Sequence, residues 1–475
     1  MSYETTGTVK PMTAARPSGH GTMTSAVPPR PAAGKLAKTP PMGWNSWDCF
    51  GVSVTEAEVR ANAEYMAKHL KQFGWEYVVV DLDWYAPDAH KDNYKKPGLK
   101  QLIDEYGRLI PDPVKFPSSA GGKGFKPLAD YVHRLGLKFG IHIMRGIPVQ
   151  AVEQNTPILG STDTAGEISQ PVDVCYWYKS NHGIRMVKPG GQAYYDSITK
   201  LYAEWGVDFI KADDMNSWDG EGRHDPYHTD EIGGLAAGIA KTGRPMVLSL
   251  SPGAARLCNA NHLRQHANMW RISFDFWDNW DALKKQFDRC NLWAPYVTEG
   301  AWPDADMLPI GRIGIRGEVG DPRATHFTPD EQYTLMTLWC IFRSPLMFGG
   351  HLPESDELSL KQITNAEAMS VNQASSNNRE LFRRGEHIGW MADVPGTGEK
   401  YLALFNLGES ADDVAVSFAE MGLNGGAAQV RDLWQRRAVG QYAGSFSARI
   451  PAHGAGLFRL SPDDESALPS FGAIL

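Results

Sequence analysis

DFIKADDM, residues Asp208–Met215, opens as an apolar strand and turns abruptly ionic. Successive side chains on a strand face opposite ways, which puts Phe209, Lys211 and Asp213 on one face and Ile210 and Ala212 on the other. A lysine beside an aspartate at the end of a buried strand costs desolvation, and carboxylates are rarely buried without a partner or a task. The stretch therefore predicts a strand whose C-terminal tip carries chemistry.

The same design recurs along the chain. YVVVDLDW (Tyr77–Trp84), KFGIHIM (Lys138–Met144), MVLSLSP (Met246–Pro252) and MWRISFD (Met269–Asp275) are preceded by PMGWNSW (Pro41–Trp47). They are followed by WPDADML (Trp302–Leu308) and SPLMFGG (Ser344–Gly350), which makes eight candidate strands with the opening stretch. Near-continuous apolar runs of this kind are what strands buried on both faces of a parallel sheet look like. Helical patterns separate them. TEAEVRANAEYMAKHLKQFG has Thr55 and Glu58 as a capping box, Val59, Ala63, Met66 and Leu70 on one face and Gly74 as its stop. TPDEQYTLMTLWCIF opens likewise on Thr328, Pro329 and Glu331. Strand and helix alternating with ionic residues at the strand tips predicts an α/β fold, a (β/α)8 TIM barrel with its site at the top face. An open doubly wound sheet is the alternative, and the chain lacks the Gly-rich phosphate turn that fold uses.

From about Ser376 the texture changes to short alternating runs such as HIGWMADV, YLALFNL, VAVSFAEM, AAQVRDLW, FSARIPA and AGLFRL, which predict a C-terminal antiparallel β-sandwich. The expected division is a flexible Pro/Ala/Gly/Ser-rich arm over 1–37, the barrel over 38–370, the sandwich over 371–462 and a tail over 463–475.

Composition narrows the function. The 475-residue chain is 42% hydrophobic and 21% charged, with a net charge of -8. It has no basic footprint for nucleic acid and no apolar run of membrane-spanning length. Five scattered cysteines suit neither a disulfide scaffold nor a zinc pattern and read mostly as core thiols. The first residues show no charged n-region followed by an apolar h-region, so no secretory signal is expected and the compartment stays open. Fifteen tryptophans, many beside acidic groups, as in WNSWDCFG, DLDWYAPD, FDFWDNW and AWPDADML, suit a sugar, which offers a weakly apolar C–H face and a belt of hydroxyls.

Extending the alternation past each strand gathers Arg271, Ser273 and Asp275 on one face, Asp81 with Asp83, and Asp304 with Asp306. Four strand tips would then direct carboxylates into one crater, and two facing carboxylates are the minimum equipment for glycoside cleavage. Lys211 would help Asp213 stay ionised, and an aromatic wall of Phe274, Phe276 and Trp277 would help Asp275 keep a proton, with Arg271 orienting a hydroxyl or a neighbouring carboxylate.

PPMGWNSWDCFG, DFIKADDM, WRISFD, WPDADMLPIG and RSPLMFGG, in this order, resemble glycoside hydrolase family 27, the α-galactosidase or melibiase family, and the similarity runs from about Thr39 to Leu460. The resemblance implies a barrel followed by a sandwich and a retaining double displacement without metal or organic cofactor. It makes Asp213 of K-x-D the nucleophile and Asp275 of W-R-x-x-x-D the acid/base. Lys211, Arg271 and Asp306 would hold the substrate, and Trp47 would supply an aromatic wall. The expected partner is a carbohydrate, with no nucleic acid or membrane, and a homo-oligomer is compatible with the family.

The chain departs from the family around sugar selection. Where the family reads D-D-C-W after the second strand, its aspartates gripping the C4 and C6 hydroxyls, this chain reads Asp81, Leu82, Asp83, Trp84. His142 replaces a tyrosine and is followed by Arg145, Met215 replaces a disulfide cysteine, and Ser251 stands where galactosidases present Glu. Substrate binding is therefore expected of Trp47, Asp81, Asp83, His142, Lys211, Ser251, Arg271 and Asp306. The expected activity is cleavage of a terminal α-galactoside. The alternatives are a β-L-arabinopyranoside, an isomaltose-releasing site, an α-N-acetylgalactosaminide, a non-hydrolytic carbohydrate binder, or a metal-dependent enzyme using Asp81, Asp83, Asp213 and Asp306.

Overall fold

Eight short parallel strands form the first sheet: β1 (Met42–Asn45), β2 (Tyr77–Val80), β3 (Lys138–Met144), β4 (Phe209–Asp213), β5 (Val247–Leu250), β6 (Met269–Arg271), β7 (Trp302–Asp304) and β8 (Leu346–Phe348). They pair in the order 7-6-5-4-3-2-1-8. Leu308, just beyond β7, bridges in parallel to Phe348 and closes the ring, its N–H donating to Met347 O at 2.8 Å and its carbonyl accepting from Gly349 N at 3.0 Å. This computed structural model describes residues 36–216, 219–220, 223–224, 226–251, 253–423 and 426–462.

The helices α1 (Glu56–His69), α2 (Lys126–Arg134), α3 (Pro189–Trp205), α4 (Thr229–Thr242), α5 (Ala260–His266), α6 (Trp280–Trp293) and α7 (Pro329–Phe342) alternate with the strands. Thr55 N donates to Glu58 Oε2 at 2.9 Å, forming the expected capping box, and Thr328 N donates to Glu331 Oε2 at 2.9 Å at the start of α7.

The strand parity sorts two cores. Val78, Val80, Ile141 and Ile210 pack outward against the helices. Tyr77, Val79, Phe209, Val247, Met269 and Trp302 point inward and fill the barrel. Two residues further along, the inward positions become Asp81, Lys211, Ser249, Arg271 and Asp304, so the interior turns polar toward the strand tips. Leu36 and Ala37 pack against this inner core, and Ala37 O accepts from the Trp302 indole N–H at 2.7 Å. The remainder of the expected arm, and the tail over 463–475, lie outside the described residues.

After α8 (Glu357–Ile363) and α9 (Ala366–Ala374) the chain forms β9 (Ser376–Arg384), β10 (His387–Asp393), β11 (Lys400–Asn406), β12 (Asp412–Ser417), β13 (Ala427–Asp432), β14 (Arg437–Ala443), β15 (Ser445–Ile450) and β16 (Ala455–Pro462). The boundary expected at 370 thus falls inside α9. A six-stranded antiparallel sheet, β9-β10-β11-β16-β13-β14, faces the β12-β15 pair across a core that includes Leu402, Leu404, Val414, Val416, Phe446 and Phe458. Its two edge strands, β9 and β14, carry charged and mostly part-exposed or exposed residues in place of an apolar alternation, and sequence patterning missed both. The barrel core runs on into Ile388, Trp390, Phe405 and Leu457 of the sandwich, with Phe287 of α6 edge-on to Phe405 at 4.9 Å.

Several strands are shorter than the sequence predicts. They end at Val80, Leu250, Arg271 and Asp304, and the residues beyond leave extended geometry. Asp83 (φ 64°), Asp214 (φ 60°) and Asp306 (φ 89°) are left-handed, a conformation aspartate tolerates better than most residues.

Candidate active site

The tips of the barrel strands open into a crater of about 260 Å³. Trp47, Asp81, His142, Lys211, Asp213, Ser251, Arg271, Asp275 and Asp306 all line it. Asp83 does not. The backbone turns at Leu82, so Leu82 faces the crater while Asp83 is fully buried behind it, where Asp83 Oδ1 accepts from Tyr178 OH at 2.7 Å. Burial pushes that carboxyl up to about 6. The expected pairing of Asp83 with Asp81 on one face is thereby corrected, and with it the metal-dependent reading, which needed Asp83 to converge with the other carboxylates.

Parity holds where the strand is regular. His142 lies opposite Lys211 and Met144 opposite Asp213 in the β3–β4 register. The Lys211 ammonium bonds Asp81 Oδ2 at 2.8 Å rather than Asp213, its neighbour along the strand. Asp81 also accepts from Asn45 Nδ2 at 2.8 Å and from Leu82 N at 2.8 Å. Burial by itself would raise the Asp81 carboxyl, and Lys211, with His142, outweighs it and holds the group well below the usual range. Asp213 Oδ2 lies 3.0 Å from His142 Nε2, and Asp213 Oδ1 accepts from Asp214 N at 2.6 Å. Arg145 is outside the crater, with its guanidinium on Asp173, Asp214 and Glu231 at 2.7–2.9 Å.

Past β6 and β7 the alternation fails. Ser273 turns into the core, accepting at Oγ from Gln286 Nε2 at 3.0 Å. Asp275 is reached by loop and its side chain is 57% exposed, so the aromatic enclosure expected of Phe274, Phe276 and Trp277 is open. Arg271 bonds Asp306 Oδ2 at 2.7 Å and Asp275 Oδ1 at 3.2 Å, orienting carboxylates as one of the two expectations held. Asp306 is further fixed by Phe276 N at 2.7 Å and Met307 N at 2.8 Å. Asp304 points down into a small cavity beneath the crater, where burial and Asp306 push it up to about 7.

Sequence reasoning missed Asp48, Tyr94, Lys95, Tyr176, Trp177, Met307 and Glu318 in the lining. Lys95 and Glu318 form an ion pair at the rim. Most of these sit on long irregular loops with no period to read. The signals available were compositional, the acidic residue in WNSWDCFG and the aromatic run Tyr176–Tyr178.

A closed parallel barrel that gathers several carboxylates, an ammonium, a guanidinium and aromatic walls at its C-terminal mouth is the build of a carboxylate-dependent glycoside hydrolase. The chain belongs to the α-galactosidase family. It matches the family described as alpha galactosidase A over residues 39–151 and 177–374, and the alpha galactosidase C-terminal beta sandwich domain over 385–460. The GH27 β-L-arabinopyranosidase of Geobacillus stearothermophilus is 50% identical, with a TM-score of 0.88 over 92% of this chain and 99% of that one. A variant of that enzyme in complex with arabinose is 49% identical, with a TM-score of 0.88 over 91% and 99% of the two chains. The alpha-galactosidase of Cyamopsis tetragonoloba is 26% identical over 90% of this chain and 87% of its own length.

Proposed function

We propose that this glycoside hydrolase releases terminal β-L-arabinopyranose in preference to α-D-galactose. The observation that carries the choice is Leu82 in the crater wall beside Asp81. The two sugars share ring configuration, and arabinopyranose has a hydrogen where galactose carries its C6 hydroxymethyl. Asp81, held by Asn45 and Lys211, keeps a carboxylate for the C4 hydroxyl. Leu82 offers the C6 hydroxymethyl no hydrogen-bond partner and occupies its space. Similarity to a β-L-arabinopyranosidase over nearly the whole chain supports the reading.

The mechanism is a retaining double displacement. Asp213 attacks the anomeric carbon and forms a glycosyl ester as the exocyclic C–O bond breaks, while Asp275 gives its proton to the departing oxygen. Asp275 then takes a proton from water as that water attacks the same carbon and frees Asp213. His142 and the Asp214 amide fix the nucleophile's orientation. Asp275, its side chain 57% exposed, is placed to exchange protons with solvent. Lys211, Arg271, Asp306, Ser251 and Trp47 hold the glycone.

The test is kcat/KM on p-nitrophenyl β-L-arabinopyranoside, α-D-galactopyranoside, α-D-glucopyranoside and α-N-acetylgalactosaminide. The arabinopyranoside is expected to lead the galactoside by about tenfold or more, Leu82→Asp to narrow that ratio, and Asp213→Asn and Asp275→Asn to abolish turnover with the fold intact. A galactoside cleaved equally well or better refutes the preference.

A further inference from the structure

Asp48 follows Trp47 in a single helical turn, Trp47–Phe50, and its side chain forms part of the crater wall. The residue is 3% exposed. Its Oδ2 is buried without a hydrogen-bond partner, and no ion pair reaches the carboxyl, among the described residues. The other buried carboxylates of the crater differ. Asp81 is held by Lys211 and Asn45, Asp306 by Arg271 and backbone amides, and Asp213 by His142 and the Asp214 amide.

The placement is built rather than incidental. A Cβ at Gly349, just past β8, would overlap Asp48 Oδ2, so only glycine there admits the carboxyl. Asp48 O accepts from Gly314 N at 2.8 Å, which ties the turn to the loop that carries Glu318. Burial, with Asp306 close by, pushes the Asp48 carboxyl well above the usual range. A protonated carboxyl offers one donor and one acceptor, the complement of a hydroxyl. Asp48 lines the binding cavity, and its carboxyl Oδ2 has no partner among the described residues, which calls for one from the ligand.

We propose that Asp48 is a further glycone-binding residue, whose carboxyl completes its hydrogen bonds on a ring hydroxyl of the pyranose seated in the crater. The assignment rests on the crater being the glycone site. It makes Asp48 a positioning group for the sugar beside Asp81 and Lys211, and it accounts for a buried carboxyl oxygen that has no hydrogen-bond partner among the described residues.

Asp48→Ala and Asp48→Asn are compared with the wild type on the most reactive aryl glycoside and on its 2-, 3- and 4-deoxy analogues. Asp48→Ala is expected to lose about tenfold in kcat/KM, while Asp48→Asn, which keeps a donor and an acceptor, stays within about threefold. The melting temperature of Asp48→Ala does not fall, because no protein partner is stranded. One deoxy analogue shows no further loss on the substitution, which identifies the hydroxyl. Unchanged kcat/KM for Asp48→Ala, or an equal loss on every deoxy analogue, overturns the assignment. Calorimetric titration of free L-arabinose and D-galactose into the Asp213→Asn protein, with and without Asp48→Ala, reads binding without turnover. Weakened binding with Asp48→Ala supports the role even if no aryl glycoside is cleaved, which would fault the hydrolytic reading alone; equal binding overturns the role. If neither sugar binds the protein that retains Asp48, the glycone site and this role fall together.

Discussion

Replacing Lys211 by methionine isolates the buried ion pair at the floor of the crater. The Lys211 side chain is 14% exposed and that of Asp81 2%, so solvent does little to screen their 2.8 Å contact. With the ammonium gone, burial dominates at Asp81 and its carboxyl rises, as it has at Asp83, which burial holds at about 6. In the wild type the depressed Asp81 contributes stability that is present above the unfolded value of about 4 and is lost only as pH falls through the folded value. In Lys211→Met the sign reverses, and stability is lost as pH rises from about 4 through the raised folded value, at about 1.4 kcal/mol per unit. Over about two units that amounts to about 3 kcal/mol, added to the contribution of the depressed Asp81 that the variant also forfeits, so the total reaches or exceeds the roughly 3–5 kcal/mol expected when one partner of a buried pair is removed. Urea unfolding followed by tryptophan fluorescence at pH 4.5, 6 and 7.5 should therefore show a destabilisation that grows with pH. Adding Asp81→Asn should recover most of it at pH 7.5. A loss independent of pH, or a double variant no more stable than the single, would refute the claim that Asp81 is ionised because of Lys211.

The wild type itself should lose stability as pH rises from about 4 to about 7, since Asp83 is raised to about 6 and Asp214 and Asp304 to about 7 by burial, and each holds a proton that the unfolded chain has released; chemical denaturation across that range checks the slope. Arg145→Met strands Asp173, Asp214 and Glu231 around an empty centre and should cost about 3–5 kcal/mol, with Arg145→Lys restoring only part because an ammonium cannot reproduce the fork; urea midpoints of the two variants decide it. Phe405→Ala should cost about 3–5 kcal/mol and shift one unfolding transition rather than split it, because Phe405 belongs to the core shared by barrel and sandwich; calorimetry reads both features.

The alternation of a strand is legible only as far as the strand runs. Phe209, Lys211 and Asp213 face inward as the opening stretch implies, and Asp81, Ser251 and Arg271 follow the same parity into the crater. Beyond the last ladder bond the backbone at Asp83, Asp214 and Asp306 is left-handed, and a rule of period two has no purchase there. Asp306 reaches the crater and Asp83 does not, although both stand two residues past an inward aspartate. What separates them is the partner each loop supplies, Arg271 for Asp306 and Tyr178 for Asp83. Tyr178 lies on a loop whose path depends on contacts remote in sequence. The rim residues Tyr94, Trp177 and Glu318 were hidden for the same reason, and the edge strands β9 and β14 because their exposed faces need no hydrophobic repeat.

The distribution of cations within the crater bears on how the site accelerates its reaction. Apart from the rim pair Lys95–Glu318, and with Asp48 protonated and Asp275 carrying the proton it gives to the leaving group, three carboxylates, Asp81, Asp213 and Asp306, share two cations, Lys211 and Arg271. The cations lie closest to Asp81 and Asp306, at 2.8 and 2.7 Å, and not to Asp213, the proposed nucleophile. A pyranose is neutral when it binds, so an acidic crater does little for it. Positive charge develops in the ring as the glycosidic bond breaks, and only then does the excess of carboxylates act, which is the condition for lowering the barrier rather than KM. A protonated iminosugar with the arabinopyranose configuration should consequently bind at least about 100-fold more tightly than free L-arabinose. Inhibition constants measured at a pH where the ring nitrogen, a secondary amine, is protonated test this. Equal affinity for the cation and the neutral sugar would mean that the carboxylates act as hydrogen-bond acceptors alone, and that the charge excess plays no part in catalysis.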